Sequence, residues 1–146
     1  MNDRSPSSGR SVHPLALLLG LAVLAGLAWV AATPWDPITA ARMAEGMNRV
    51  ATLPKDMGDG LRLDRISASG NDVVMTLTIT DMPPPPYPAD VLAEMKRAAL
   101  LDVCREWNKD PDAKAALTRA GIAMVREFRD PAGVVIFSHR VTPDLC

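Results

Sequence analysis

Hydrophobic residues are distributed in two different ways along this chain. Residues 14–33 form one unbroken apolar run, PLALLLGLAVLAGLAWVAAT, without an ionised side chain. Beyond the run, apolar residues recur at helical or strand spacing and are separated by charged ones. The pattern therefore predicts a membrane-spanning segment followed by a globular region, and the chain length is sufficient for one such domain.

The apolar run is long enough to cross a bilayer. Its central 18 residues, 15–32, extend about 27 Å as a helix, close to the thickness of a thin hydrocarbon core. Arg4 and Arg10 precede the run, so the positive-inside rule predicts a cytoplasmic tail at 1–13 and export of 34–146. We therefore expect a single-pass inner-membrane protein with a periplasmic C-terminal domain.

A cleaved signal peptide is the competing interpretation of the same run. Val30-Ala31-Ala32 has the small-x-small form of a cleavage site, and cleavage near Ala32 would release the domain. The run is longer than the apolar region of a signal peptide, however, and Trp29 and Trp35 fit an aromatic belt at the outer membrane interface. Both interpretations deliver the domain to the same compartment.

The periodicity of residues 34–146 predicts an α+β domain ordered helix, hairpin, helix, helix, hairpin. The predicted elements are a helix opened by Asp36-Pro37 and ending near Thr52, strands 61–69 and 72–80, helix 90–108, a helix from Asp110-Pro111 to Gly121, and strands 122–129 and 133–141. The parity of apolar residues changes near Asp64-Arg65, which indicates a β-bulge. We expect residues 55–60 to be a loop and the hairpins to join as a four-stranded antiparallel sheet under the helices.

Cys104 and Cys146 are the only two cysteines. Both follow the predicted anchor, and two thiols in an oxidising compartment most simply form one structural disulfide. Two free cysteines are the alternative. Cys104 lies beside the apolar stripe of helix 90–108, so a bond to the end of the last strand is sterically reasonable.

The proline-rich segment 83–88 is the most unusual local composition. Pro83, Pro84, Pro85, Pro86 and Tyr87 are candidate partner-binding residues, because an extended proline segment can dock in an aromatic groove. The alternative is a stiff connector between a strand and the next helix.

Candidate chemistry is sparse in the exported region. His139 is its only histidine, too little for a recognisable zinc site or catalytic triad, and we expect it to be structural. Met43 and Met47 could offer thioethers to Cu(I), but they fall on the apolar stripe of the first helix and we expect them in the core. We therefore predict no catalytic residue, cofactor or metal ion.

Charge excludes one further class of partner. Formal net charge is −1, and setting aside Arg4, Arg10 and Asp3 leaves 14 basic and 16 acidic residues. A nucleic-acid-binding domain needs a strongly basic face, so no nucleic-acid partner is expected.

The region from Cys104 to Cys146 contains a helix, Gly121, a hairpin around Asp130-Pro131-Ala132-Gly133 and a terminal cysteine. This arrangement resembles small disulfide-linked periplasmic domains such as the pilotins of type II secretion. Pilotins are lipoproteins, whereas no cysteine that could carry a lipid stands directly after the apolar run here, so no function is carried over from the resemblance.

Three hypotheses about function follow. The first is a membrane-anchored, non-catalytic module of the bacterial envelope that binds another envelope protein as an accessory or assembly factor. The second is a released periplasmic or secreted module that binds a ligand, a metal ion or a protein after cleavage near Ala32. The third is a small enzyme, which requires a deep polar pocket around His139.

Overall fold

The computed structural model describes residues 37–146. The predicted tail, the predicted anchor at 14–33 and the interfacial residues Trp29 and Trp35 lie outside this described part. Among residues 37–146, no helix combines the length and the apolar character that a membrane crossing requires.

Residues 37–146 form an α+β domain with three α-helices and a five-stranded mixed sheet. In chain order the elements are α1 (Ala40–Val50), β1 (Lys55–Gly58), β2 (Leu61–Ser69), β3 (Asp72–Ile79), α2 (Ala89–Trp107), α3 (Pro111–Ala120), β4 (Ala123–Arg129), β5 (Val135–Val141) and a terminal 3-10 turn (Pro143–Leu145).

The strands are ordered β1-β2-β3-β4-β5 across the sheet. Strands β3 and β4 are parallel, and the other neighbouring pairs are antiparallel. The predicted α+β class is confirmed, whereas the predicted four-stranded antiparallel sheet is wrong. Because α2 and α3 occupy the connection 80–122, the chain crosses back over the sheet before β4 begins, and such a crossover makes the flanking strands parallel.

The additional strand β1 comes from residues predicted to be a loop. Of its four residues only Met57 is buried, so the segment lacks the alternation that would identify a strand. It forms because its backbone pairs with β2, with an irregularity between Asp56 and Gly58. This short, bulged edge offers little to a further strand.

The local turn and capping predictions are largely confirmed. The β2–β3 hairpin has its register shift between Leu63 and Arg65. The Asp110 side chain caps α3 by accepting a hydrogen bond from the Ala113 amide at 3.0 Å, and Gly121 ends this helix at φ 65°. The predicted start of the first helix is wrong, because Thr39 rather than Asp36 is its N-cap.

The core lies on one face of the sheet, beneath the helices. Met43 and Met47 of α1 and Val103 and Trp107 of α2 pack with the inward residues of the strands. Val73, Met75 and Leu77 of β3 are buried, as its alternation predicts, and Thr78 is a fourth buried side chain of this strand.

Cys104 and Cys146 lie at disulfide distance, with their Cα atoms 5.0 Å apart. This is the pairing that the sequence predicts. It connects the terminal 3-10 turn to α2.

Candidate functional site

An open groove with a volume of about 400 Å³ lies between α2 and the inner face of the sheet. Its apolar lining residues are Leu61, Leu77, Ile79, Met95, Ala98, Ala99, Phe128 and Phe137. The rings of Phe128 and Phe137 stack with their centroids 4.6 Å apart. The volume of this mainly apolar cavity lies within the range of ligand pockets.

The strand register gives the groove a direction. Arg126 lies level with Met75, Phe128 is level with Leu77, and the β1–β2 turn is near Ile79. Each of these three positions along the strands contributes at least one lining residue, although Met75 itself does not line the groove. The groove therefore extends over about four strand residues, roughly 13 Å. This length matches two to three turns of a helix or a short extended segment.

An ion pair lies at one end of the groove. Arg126 Nη1 lies 2.8 Å from Asp102 Oδ2, and the Arg126 side chain is only 6% exposed. The same Nη1 also approaches the carbonyl oxygen of Ala99 at 3.5 Å. Because the guanidinium is balanced by Asp102, this end contains a matched pair of charges instead of an isolated cation.

The opposite end of the groove is acidic. Asp59 and Gly60 line it at the β1–β2 turn, and both Asp59 and Asp81 are exposed. Gly60 has φ 71°, and a Cβ atom at this position would overlap the carboxylate of Asp81. The close approach therefore places the Asp81 carboxylate beside the groove entrance.

The outer face of the sheet carries a separate polar depression, which we call the polar cup. Its charged lining residues are Arg62, Asp64, Arg65, Arg129 and Asp130, and its volume is also about 400 Å³. Cations and carboxylates alternate in this cup. It therefore resembles a solvated mixed-charge surface more than a site for an anion.

Asp64 is the central carboxylate of the polar cup. Partial burial alone would raise its pKa, but hydrogen bonds from Arg62 Nε and Thr78 Oγ1, both 2.5 Å long, lower the pKa of Asp64 below its ordinary value. The hydrogen bond from the buried Thr78 hydroxyl therefore helps to hold the Asp64 carboxylate in its charged form.

The structure places the proline-rich segment away from the groove. Pro83–Pro86 are exposed between β3 and α2, and Tyr87 is half-buried. The Tyr87 hydroxyl donates a hydrogen bond to Asp130 Oδ2 at 3.5 Å. Desolvation of the phenol and the nearby Asp130 carboxylate raise the pKa of Tyr87 above its ordinary value. The segment is therefore linked to the β4–β5 turn at the rim of the polar cup.

The other residues considered from sequence are buried or half-buried. Met43 and Met47 belong to the core, at 1% and 0% exposure. His139 is half-buried on β5 opposite Arg126, and it lines neither the groove nor the polar cup. Among residues 37–146, no three histidine, cysteine or carboxylate side chains cluster as a metal site.

Sequence reasoning did not find the groove, although part of its signal is visible. Met95, Ala98, Ala99 and Asp102 follow the i, i+3, i+4, i+7 spacing of a helix face. Two alanines at the centre of this face leave space above the sheet where larger side chains would fill it. Phe128 and Phe137 could be assigned to the floor of the groove only after their strands were paired.

Comparison with known proteins relates the domain to solved structures. No protein-family model matches the chain, and no curated protein sequence matches it. A pilotin of the type 2 secretion system of Vibrio vulnificus, EpsS, is 20% identical with a TM-score of 0.51, over 73% of this chain and 87% of its own.

Two further structures are similar. The type II secretion pilotin AspS of Vibrio cholerae is 17% identical with a TM-score of 0.48, over 73% of this chain and 88% of its own. A Pseudomonas aeruginosa protein whose secretion is inferred is 11% identical with a TM-score of 0.50, over 70% of this chain and 88% of its own. At these identities, the similarity concerns the fold.

Proposed function

We propose that residues 34–146 are a non-catalytic, protein-binding module of the bacterial cell envelope, which holds a segment of another envelope protein in the groove. The observation that carries the proposal is the groove itself. The groove is open to solvent beside the half-buried Met95, and its floor is formed by Phe128 and Phe137, which are 8% and 6% exposed. Covering the apolar surface that remains accessible is favourable by about 25 cal/mol per Å². The fold shared with a Vibrio vulnificus pilotin supports an accessory role in envelope assembly.

Membrane anchoring is part of the same proposal. The apolar run 14–33, the preceding Arg4 and Arg10, and the tryptophans Trp29 and Trp35 support a single-pass anchor with the domain in the periplasm. An anchored module presents its groove to neighbouring envelope proteins at high local concentration. Intact mass measurement on the membrane fraction tests this part: the full-length mass is expected, and a mass beginning near Thr33 in the soluble fraction would favour the released form.

Among the other hypotheses, no observation in the described residues favours an enzyme. That hypothesis requires a deep polar pocket around His139, and His139 contributes to neither of the two cavities described above. Arg126 and Asp102, which line the groove, are engaged with each other. The apolar groove therefore favours a protein-binding role over an enzymatic one.

Site-specific photo-cross-linking from two positions of α2 tests the proposed function. Ala98 and Ala93 are both exposed residues of this helix, but only Ala98 lines the groove. A photoreactive amino acid is placed at each position in the full chain, expressed in its native bacterium. We expect position 98 to form a discrete cross-link to one envelope protein and position 93 to give markedly less of it.

The cross-linked protein is then purified and its affinity for the full chain is measured. Ala98→Trp fills the groove mouth and should weaken binding at least tenfold, whereas Ala93→Trp adds the same side chain elsewhere and should leave binding unchanged. Equal cross-linking from both positions, or equal affinity of the two tryptophan variants, would refute binding in the groove.

A further inference from the structure

The two edges of the sheet are built differently. Strand β1 has four residues and an irregular register, so it offers little backbone to a further strand. Strand β5 forms the other edge and pairs only with β4, in a regular register over residues 137–141. This regular part of β5 extends about 17 Å, the length of an average strand.

The outer side of β5 has no strand partner within the domain. Among residues 37–146, the backbone of residues 135–141 forms hydrogen bonds only within the sheet, where its one neighbour is β4. Ser138 and Arg140 are exposed, and the strand begins at Val135, which is 46% exposed. The strand contains neither lysine nor proline, two residues that commonly protect an edge. An edge of this kind is a template for a further strand.

A lysine of α2 lies above this edge strand. The Lys96 ammonium is 6.0 Å from the centroid of the Phe137 ring, and Lys96 is exposed. Lys96 does not line the groove, whereas Met95, Ala98 and Ala99 of the same helix do. Within the described part of the chain, no carboxylate forms an ion pair with Lys96. The cation is therefore open to a carboxylate that approaches from outside.

We infer that the β5 edge is a second docking surface, which adds an extended segment of another protein to the sheet as a sixth strand. A strand paired with β5 lies about 4.8 Å from it, so the side chain that it places beside Phe137 comes within reach of the Lys96 ammonium. An aspartate or glutamate at this position gains electrostatic attraction. The partner is therefore a strand-forming segment with an acidic residue on the face of Phe137. This surface is distinct from the groove and goes beyond the proposed function.

A second copy of this chain fits the edge less well. Strand β5 contains no carboxylate, so pairing with the same strand of another copy brings no acidic residue to Lys96 from that strand. In an antiparallel pair related by a two-fold axis, the Lys96 cations of both copies would also lie on the same face of the joined sheet. Charge therefore favours a different protein as the occupant.

The probe for this inference is a displayed library of random 12-residue peptides, selected on the purified full chain in detergent micelles. Peptides are retained only if they bind the Ala98→Trp variant as tightly as the unmodified chain, which removes groove-dependent peptides. We expect the retained peptides to alternate apolar and polar residues, with an aspartate or glutamate at one constant position.

Methylation of the peptide backbone distinguishes strand addition from other modes of binding. Only every second amide of an added strand donates a hydrogen bond to β5. N-methylation of one set of alternate residues should therefore weaken binding at least tenfold, and N-methylation of the other set should have little effect.

A double-substitution cycle then tests the charge contact. Lys96→Gln should weaken a retained peptide about threefold, because exposed charge pairs are of modest strength. Replacing the acidic residue of the peptide by its amide should give the same loss on the unmodified chain and no further loss on Lys96→Gln. Lys55→Gln, which removes a cation of β1 at the opposite edge, should leave affinity unchanged. Equal losses for Lys96→Gln and Lys55→Gln would overturn the acidic specificity.

Amide hydrogen exchange, followed by NMR, locates the bound segment. Alternate amides of residues 137–141 should exchange rapidly in the free chain and become protected by the peptide, whereas those of β1 should not change. Protection at β1 instead of β5, equal effects of the two N-methylated sets, or no peptide that binds independently of the groove would overturn the inference. Protection of β5 that rises with protein concentration without peptide would assign the edge to a second copy and overturn it too. None of these results bears on the proposed function, which is tested by Ala98→Trp and the groove partner.

Discussion

Arg126 of β4 and Asp102 of α2 form an ion pair of 2.8 Å between Nη1 and Oδ2, and this pair joins the helix to the parallel centre of the sheet. Both residues also line one end of the groove. The Arg126 cation is buried, whereas the cation of the second pair that Asp102 makes, Arg105 at 4.0 Å, is exposed.

Removing Asp102 should destabilise the fold. In Asp102→Ala the Arg126 cation remains buried without its partner, which costs about 3 kcal/mol in the free energy of unfolding. Arg105→Ala, which removes the exposed partner, should cost less than about 1 kcal/mol. Urea denaturation of the three proteins measures both values, and equal stabilities of the two variants would contradict a buried role for the Arg126 pair.

The double variant Arg126→Met with Asp102→Leu gives a second test of that pair. Because both charges disappear together, no buried ion is left unpaired, and stability should recover most of the loss seen in Asp102→Ala. A double variant that is less stable than Asp102→Ala would show that the pair is itself strongly stabilising.

Gly60→Ala should lower stability by about 1–2 kcal/mol, because Gly60 has φ 71° and this conformation is unfavourable for a residue with a Cβ atom. The new methyl group must also displace the Asp81 carboxylate. Gly58→Ala is the matched control, with φ 82° and no atom within 4 Å of its added Cβ. Thermal unfolding should show the larger loss for Gly60→Ala, and the excess should disappear when Asp81 is replaced by alanine.

Thr78→Val should raise the pKa of Asp64 toward its ordinary value, since the substitution removes the hydrogen bond from Thr78 Oγ1. The folded-state pKa of Asp64 is lowered, so its contribution to stability is present above the unfolded-state pKa near 3.8 and is lost as pH falls through the folded-state value. In Thr78→Val the folded-state and unfolded-state pKa values of Asp64 should lie closer together. Protonation of Asp64 at acid pH should therefore lower the free energy of unfolding by less in the variant than in the unmodified chain.

Carboxyl NMR titration of Asp64 measures this shift directly. Thr76→Val is the control, because Thr76 also lines the polar cup and no hydrogen bond joins it to Asp64. An Asp64 pKa that responds equally to both valine substitutions would argue against the Thr78 contact as the cause.

Loss of the Cys104–Cys146 bond should lower the free energy of unfolding by about 4 kcal/mol in the loop-entropy model, given the sequence separation of 42. The comparison is guanidinium denaturation of the unmodified chain and of Cys104→Ser with Cys146→Ser, with and without reductant. Reductant should lower the free energy of unfolding of the unmodified chain to the value of the variant, and it should leave the variant unchanged. If oxidised chain and variant unfold at the same denaturant concentration, the bond contributes nothing to stability.

The elements of the domain that depend on local chemistry were predictable from the sequence. Asp110-Pro111 begins α3 and Gly121 ends it, because the cap bonds and the positive φ involve residues only a few positions apart. The β2–β3 hairpin and its bulge follow equally from an alternation that can be counted along the chain. The pairing of the two cysteines was predicted from their number, their expected compartment and the helix face of Cys104.

Tertiary structure alone decided how these elements meet. The sequence does not show that the connection 80–122 crosses the sheet and makes β3 parallel to β4, since strand order depends on packing between distant segments. Strand β1 exists because β2 offers it a backbone to pair with, and Lys55–Gly58 lacks a strand pattern of its own. For the same reason the groove was invisible: Met95, Phe128 and Phe137 become neighbours only when α2 lies across the paired strands. Local periodicity and capping therefore determined the helices and strands of this domain, whereas long-range pairing determined its sheet and its groove.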